Sequence, residues 1–171
     1  VTTTVSIIDN DQNIPPTISD VSNQSTNEDT PTSAIAFTIG DNQTPASALT
    51  VTASSSSPSL LPNANIVVSG TGANRTLVAT PAANQFGQSV ITLTVTDPGG
   101  LSATDTFTLT VNSVNDVPTI STINDVVMNE DGDVTVNFVV DDVETTAAVL
   151  TVTGTRTNTT LFPSIGTSDS S

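Results

Sequence analysis

Large apolar residues recur at every second position along three stretches of the chain, which cover residues 34–40, 90–97 and 106–112. A period of two is the pattern of a half-buried antiparallel strand, with one dry face and one wet face. Threonine fills most of the wet positions in the second and third stretches. The residues predicted to face inward are Ile35, Phe37, Ile91, Leu93, Val95, Phe107, Leu109 and Val111.

Four shorter strands are predicted, near residues 17–21, 49–53, 65–69 and 75–79. The tetrapeptide DPGG at 97–100 separates the last two long strands and is typical of a hairpin turn. No helical periodicity of any length is present. Seven strands with breaks about every 8–12 residues predict an all-β sandwich.

The chain also repeats itself. PTIS at 16–19 returns at 118–121, and NED at 27–29 returns at 129–131, both at a shift of 102 residues. After a one-residue deletion the shift becomes 101, which pairs Phe37 with Phe138 and Asp41 with Asp142. ALTVTA then matches VLTVTG, and LLP matches LFP, in the same order. A period of about 100 residues is the usual size of an immunoglobulin-like domain, so the repeat predicts tandem immunoglobulin-like Greek-key sandwiches.

The repeat predicts three segments. Residues 1–12 would be the last strand and exit of a preceding domain, and residues 13–114 one complete repeat. Residues 115–171 would be the N-terminal half of a second, incomplete repeat. We expect this half to be unstable alone, because it lacks the two closing strands and leaves an apolar face uncovered.

Charge and composition remove several classes of function. The 171 residues carry 17 acidic and two basic side chains, for a formal net charge of -15. Such a chain has nothing to neutralise nucleic acid phosphates and is repelled by anionic membrane surfaces, and no apolar run is long enough to span a bilayer. Cys, His, Lys, Tyr and Trp are absent, which excludes disulfides, the usual zinc sites and the common nucleophile–base pairs.

Sixteen of the 17 acids lie in residues 9–41 and 97–144, near the two PTIS junctions, and none lies in 42–96. The alternating direction of the strands brings them to the two ends of the sandwich. At one end we expect an upper set: Asp9, Asp11, Asn13, Asp41 and Asp97. At the other end we expect a lower set: Glu28, Asn115, Asp116, Asp142 and Glu144, with Asp141 as a further ligand.

Carboxylates gathered without basic partners repel each other unless a cation neutralises them. Oxygen ligands with no nitrogen or sulfur available favour calcium. The alternative is that these residues belong to turns and caps, which Asp and Asn favour because their side chains hydrogen-bond to the nearby backbone.

At these residues the chain resembles the cadherin-like, immunoglobulin-like tandem modules of large bacterial surface and secreted proteins of the adhesin type. The resemblance rests on NED (27–29 and 129–131), RTLVATPAANQFG (75–87), VTDPGGLS (95–102) and VNDVP (114–118). It implies calcium between domains and an extracellular, cell-surface location. The opening TTTVSIIDND (2–11) is similar to the end of a Calx-beta module.

The sequence therefore predicts a non-enzymatic extracellular repeat, forming a calcium-stiffened stalk or an adhesive array. Its partners would be the neighbouring repeats of the same chain and a cell-surface protein or glycan. The alternative is a spacer or carbohydrate-binding accessory module of a secreted multidomain enzyme. An enzyme is disfavoured, because only a pair of carboxylates of the glycosidase kind is available and Trp and Tyr, which stack on sugars, are missing.

Overall fold

The structure is a computed structural model and describes residues 12–157 and residue 166. It divides into two compact units after Val114. The predicted segment 1–12 lies outside the described residues except for Gln12, and Asp9, Asp11 and the LFP segment at 161–163 lie outside them too.

The described residues are all-β, with strands and short 3-10 turns and no α-helix. The strands of the first unit are β1 (Thr17–Ile18), β2 (Gln24–Asn27), β3 (Ile35–Gly40), β4 (Thr50–Ser55), β5 (Ile66–Thr71), β6 (Asn74–Ala79), β7 (Gly87–Thr96) and β8 (Ser102–Asn112). The 3-10 turns of this unit are Ala46–Ala48 and Asn63–Asn65.

These strands form two four-stranded sheets, in the orders β1-β3-β6-β5 and β2-β8-β7-β4. This is the strand arrangement of an immunoglobulin-type sandwich, in which the first strand is shared between the sheets. The predicted all-β Greek-key sandwich is confirmed.

The core lies between the two sheets and follows from the alternation. All eight residues predicted to face inward are buried, and Leu61, Leu77 and Ala79 join them. On the opposite face of β4, β7 and β8 the threonines stand in register, for example Thr52 with Thr94 and Thr94 with Thr104. The wet face of this sheet therefore carries hydroxyl and methyl groups rather than charges.

The hairpin predicted at residues 97–100 joins β7 to β8. The backbone N–H of Asp97 donates to the carbonyl of Leu101 at 3.0 Å, and that of Gly100 to the carbonyl of Asp97 at 3.1 Å. Gly100 has a φ of 89°, a backbone conformation that a side chain would oppose. The glycine is therefore required by the turn itself.

The first strand differs from the prediction. We expected one strand near 17–21, but β1 ends at Ile18 and a second strand, β2, pairs in parallel with β8. Between them Val21 is buried in the core, and its N–H donates to Asp105 Oδ2 at 3.1 Å. The chain therefore crosses from one sheet to the other at this point.

The described part of the second unit contains two short strands, β9 (Thr119–Ile120) and β10 (Val140–Asp141), and a 3-10 turn, Ala147–Val149. The two strands pair antiparallel, with Ile120 opposite Val140. This register repeats that of β1 and β3 in the first unit, where Ile18 lies opposite Ile39. The sequence repeat is therefore also a structural repeat over these elements.

Candidate metal centre

Glu28 follows β2 and lies at the end of the first unit where β8 ends. Its backbone N–H donates to the carbonyl of Asn112 at 2.9 Å, which continues the β2–β8 pairing by one step. Asp29, next in the chain, takes a left-handed φ of 56°, a conformation that Asp adopts more readily than most residues. The turn directs the Glu28 side chain inward, where only 3% of the residue remains exposed.

The Glu28 carboxylate is held through one oxygen only. The backbone N–H of Val114 donates to Oε1 at 2.7 Å, whereas Oε2 is buried and has no hydrogen-bond partner among the described residues. A buried carboxylate oxygen without a donor or a cation is costly, by several kcal/mol when the charge is unpaired. Glu28 is therefore the described acid with the strongest demand for a counter-charge.

Arg75, the one basic residue in the sequence of the first unit, does not meet that demand. The guanidinium of Arg75 donates to two backbone carbonyls, those of Gly70 at 2.7 Å and Ala46 at 3.2 Å. Arg75 thus fastens a turn, and these two hydrogen bonds do not go to acids.

The second unit places the remaining members of the lower set close together around its entry. The backbone N–H of Asp116 donates to Glu144 Oε2 at 2.9 Å, and carboxylate oxygens of these two residues lie within 4.8 Å of each other. Glu144 Oε1 is buried and has no hydrogen-bond partner in the described part of the chain. Two carboxylates at this separation repel each other, so a cation would stabilise the pair.

Asp141, Asp142 and Asn115 have local roles in the same unit. Asp142 Oδ1 accepts the backbone N–H groups of Glu144 at 3.2 Å and Thr145 at 2.7 Å, and so shapes the loop that presents Glu144. Asp141 Oδ1 accepts the N–H of Asp142 at 3.0 Å. Asn115 donates through Nδ2 to the carbonyl of Asp116 at 2.9 Å. All three therefore help to set the positions of Asp116 and Glu144.

The upper set, as far as the structure describes it, is organised differently. Asn13 and Asp97 meet as predicted from the strand directions, but they meet as a hydrogen-bonded pair, Nδ2 to Oδ2 at 2.8 Å. Asp97 is only 4% exposed, and its other oxygen accepts the N–H of Leu101 at 3.0 Å. Both oxygens of Asp97 are thus partnered without a cation.

Asp41 lies at the end of β3, where its Oδ1 accepts the N–H groups of Gln43 and Thr44, each at 2.7 Å. Its Oδ2 is buried without a hydrogen-bond partner within residues 12–157. Among these residues no three acidic groups approach one another at the upper set. The prediction of an ion there stays a prediction.

Sequence reasoning overlooked Gln43. Its Oε1 accepts the backbone N–H of Ile14 at 2.8 Å, and its Nε2 donates to the carbonyl of Gln12 at 2.9 Å. The signal was present in the repeat, because GDNQ at 40–43 occupies the place of DDVE at 141–144. The acids were predicted as ligands, whereas no role was predicted for the amide at the corresponding position.

No helix among the described residues is both long and apolar enough to cross a membrane. A search of curated proteins gives no match. Among solved structures the chain is similar to the extracellular cadherin domains 3–6 of protocadherin gamma B2, with 13% identity and a TM-score of 0.38. That similarity covers 75% of this chain and 31% of the protocadherin chain, so the present chain spans less than a third of that structure.

The match to a family is more direct. Residues 10–110 match the bacterial Ig domain, a span that takes in every strand of the first unit except the last two residues of β8. The match covers more than half of the chain and coincides with the sandwich described above. The chain therefore belongs to the bacterial Ig domain family.

Proposed function

We propose that this chain is a non-enzymatic extracellular repeat module whose junction between repeats is stiffened by calcium. Such modules would form a stalk or an adhesive array of a large bacterial surface protein. The observation that carries the proposal is Glu28, a buried carboxylate that holds Val114 through Oε1 and keeps Oε2 without a partner in the described part of the chain.

Chain connectivity links Glu28 to the acids of the second unit. The Val114 N–H is bound to Glu28, and Asp116 follows only two residues later, a separation that covalent geometry limits to about 7 Å between Cα atoms. Asp116 in turn is bonded to Glu144. The proposal therefore assigns one shared cation to Glu28, Asp116 and Glu144.

The donor set fits calcium. The side chains concerned offer only oxygen, and the linker adds backbone carbonyls, which calcium accepts in flexible coordination. Asn115, Asp141 and Asp142 are the remaining predicted ligands, and in the proposal they complete the shell or support it. Bound calcium would supply positive charge in a chain that carries only two basic residues.

Stiffness follows from the length of the linker. Strand β8 ends at Asn112 and β9 begins at Thr119, so only residues 113–118 join the two units. A cation held by ligands before and after this linker removes bending freedom that a short polar linker otherwise keeps. A rod of such repeats suits a stalk, whose partners would be the neighbouring repeats and, at its tip, a surface protein or glycan.

The test compares calcium with chelator on the chain of 171 residues, by thermal melting and small-angle X-ray scattering. Extracellular modules bind calcium at about 10⁻⁴–10⁻³ M. A tenfold excess over the dissociation constant stabilises by about 1.4 kcal/mol per site, enough to raise the melting temperature by several degrees. The maximum dimension should become better defined in calcium.

The double variant Asp116→Ala, Asp142→Ala should lose this response. A charge-matched control is Asp125→Ala, Asp133→Ala, which removes two exposed acids of the same unit and should keep the response. An identical melting temperature and identical scattering of the wild type in both buffers would refute the proposal.

A further inference from the structure

The two repeats share one contact between a loop and the segment that enters the repeat. In the first repeat the Ile14 N–H donates to Gln43 Oε1 at 2.8 Å, and in the second the Asp116 N–H donates to Glu144 Oε2 at 2.9 Å. The positions correspond, at the shift of 102 residues for the entering segment and 101 for the loop. We call this contact the entry clamp.

The loop behind each clamp is also the same. Asp41 Oδ1 accepts the N–H groups of Gln43 and Thr44, and Asp142 Oδ1 accepts those of Glu144 and Thr145, all at 2.7–3.2 Å. The backbone of the loop is thus fixed in both repeats. What differs is the side chain at the position of Gln43 and Glu144.

A glutamine amide can make two kinds of hydrogen bond at the entry clamp, one as acceptor and one as donor, whereas a carboxylate can only accept. Gln43 accepts from Ile14 through Oε1 and donates through Nε2 to the carbonyl of Gln12 at 2.9 Å. This orientation of the amide is the one consistent with a donor at Ile14 and an acceptor at Gln12. A carboxylate has no proton to donate, and Glu144 Oε1 is buried without a hydrogen-bond partner in the described part of the chain.

Neutral amides hold the whole entry of the first repeat. Gln43 binds the residues on either side of Asn13, and the Asn13 side chain binds Asp97 at 2.8 Å. In the second repeat the corresponding Asn115 donates instead to the carbonyl of its neighbour, Asp116. Three consecutive residues, 12–14, are therefore fastened by hydrogen bonds that need no ion.

We propose that the residue at the position of Gln43 and Glu144 decides whether the entry clamp depends on a cation. Gln43 closes the clamp of the first repeat by itself, whereas Glu144 requires a cation where the amide would place its N–H. The second half of this statement rests on the proposed function. The proposal concerns only how residues 12–14 are held. Asp41, whose Oδ2 is buried, is still a predicted metal ligand of the upper set.

The backbone amides of Ile14 and Asp116 report on the two clamps, because each is the donor in its own contact. Their hydrogen exchange is measured by NMR on the full chain in calcium and in chelator. In the wild type we expect Ile14 exchange to be unchanged by chelator and Asp116 exchange to rise about tenfold, the effect of losing one hydrogen bond.

Two substitutions at the position of Gln43 and Glu144, one from carboxylate to amide and one from amide to carboxylate, test the proposal directly. Glu144→Gln should make Asp116 exchange slow in both buffers, and Gln43→Glu should make Ile14 exchange about tenfold faster in chelator. Gln88→Glu on β7 adds the same charge at an exposed position that belongs to neither clamp and should change neither amide.

The outcomes separate this inference from the proposed function. Chelator-sensitive Ile14 exchange in the wild type, or a Glu144→Gln variant as sensitive as the wild type, would overturn the inference. If Asp116 in the wild type ignores calcium, the proposed function fails instead. In that case the half of the inference that concerns Glu144 fails as well, and the half that concerns Gln43 survives only if Gln43→Glu makes Ile14 exchange about tenfold faster in calcium-free buffer.

Discussion

The two repeats carry the same apolar pattern, yet they bury it to different extents. Ile35 of the first repeat is 7% exposed, and its counterpart Val136 in the second is 37% exposed. Phe37 is buried, whereas Phe138 is only half-buried. An alternating pattern therefore marks the face that can be buried, and a second sheet is needed to bury it.

The structure identifies the strands that supply this cover. In the first unit the inward residues of β7 and β8 are fully or almost fully buried against those of β3 and β6. The described part of the second unit holds only β9 and β10, and its large apolar residues, such as Val127 and Val149, are mostly exposed. The β7–β8 hairpin therefore supplies six of the buried core residues of the first repeat: Ile91, Leu93, Val95, Phe107, Leu109 and Val111.

The largest expected effect comes from separating the repeats. A fragment of residues 12–114 should unfold in one cooperative transition, because both of its sheets are complete. A fragment of residues 115–171 should show no cooperative transition and should bind a hydrophobic dye through its exposed apolar face. Circular dichroism melting and dye fluorescence measure both, and a cooperative melt of the second fragment would contradict the comparison.

Two matched substitutions to alanine test within the intact chain whether the first unit has a core that the second unit lacks. Leu109 of β8 is fully buried, so Leu109→Ala should lower the free energy of unfolding by about 2–5 kcal/mol. Val149 of the second unit is exposed, and Val149→Ala should change the free energy by less than about 0.5 kcal/mol. Urea titration gives both values, and equal losses would show that the second unit has a core of its own.

The smallest of these effects concerns buried and exposed carboxylates. Asp97→Ala removes the acceptor of both Asn13 and Leu101, which should cost about 1–3 kcal/mol. Asp125→Ala removes an exposed acid of the second unit and should stay within about 0.5 kcal/mol. If Asp97→Ala were as mild as its control in urea titration, the pairing with Asn13 would not stabilise the entry of the first repeat.

Much of the first repeat could be predicted because its information is local. The alternation in β3, β7 and β8 marked the buried residues, and DPGG marked the hairpin. The crossing between β1 and β2 could not be predicted in this way. Val21 is buried in the core, but its N–H is bonded to Asp105, which lies 84 residues away.

The candidate site shows the same difference between local information and contacts that are distant in the sequence. Strand direction alone predicted that Asn13 would approach Asp97 and that Glu28 would lie near the end of β8, and the structure shows both contacts. It did not predict that Asp97 would be satisfied by hydrogen bonds while Glu28 Oε2 would find no donor in the described part of the chain. Composition identifies the acids, whereas the partner of each oxygen depends on the packing around it.

The sequence by itself therefore determined the strands, the inward face and the clustering of the acids, since periodicity and turn chemistry act over a few residues. Only the tertiary structure decided which acids are buried and which remain unpartnered, because those contacts join residues 28 to 86 positions apart. Gln43 illustrates the boundary. Its identity is local, but its two bonds to Gln12 and Ile14 exist only because the fold brings the loop after β3 against the entry of the repeat.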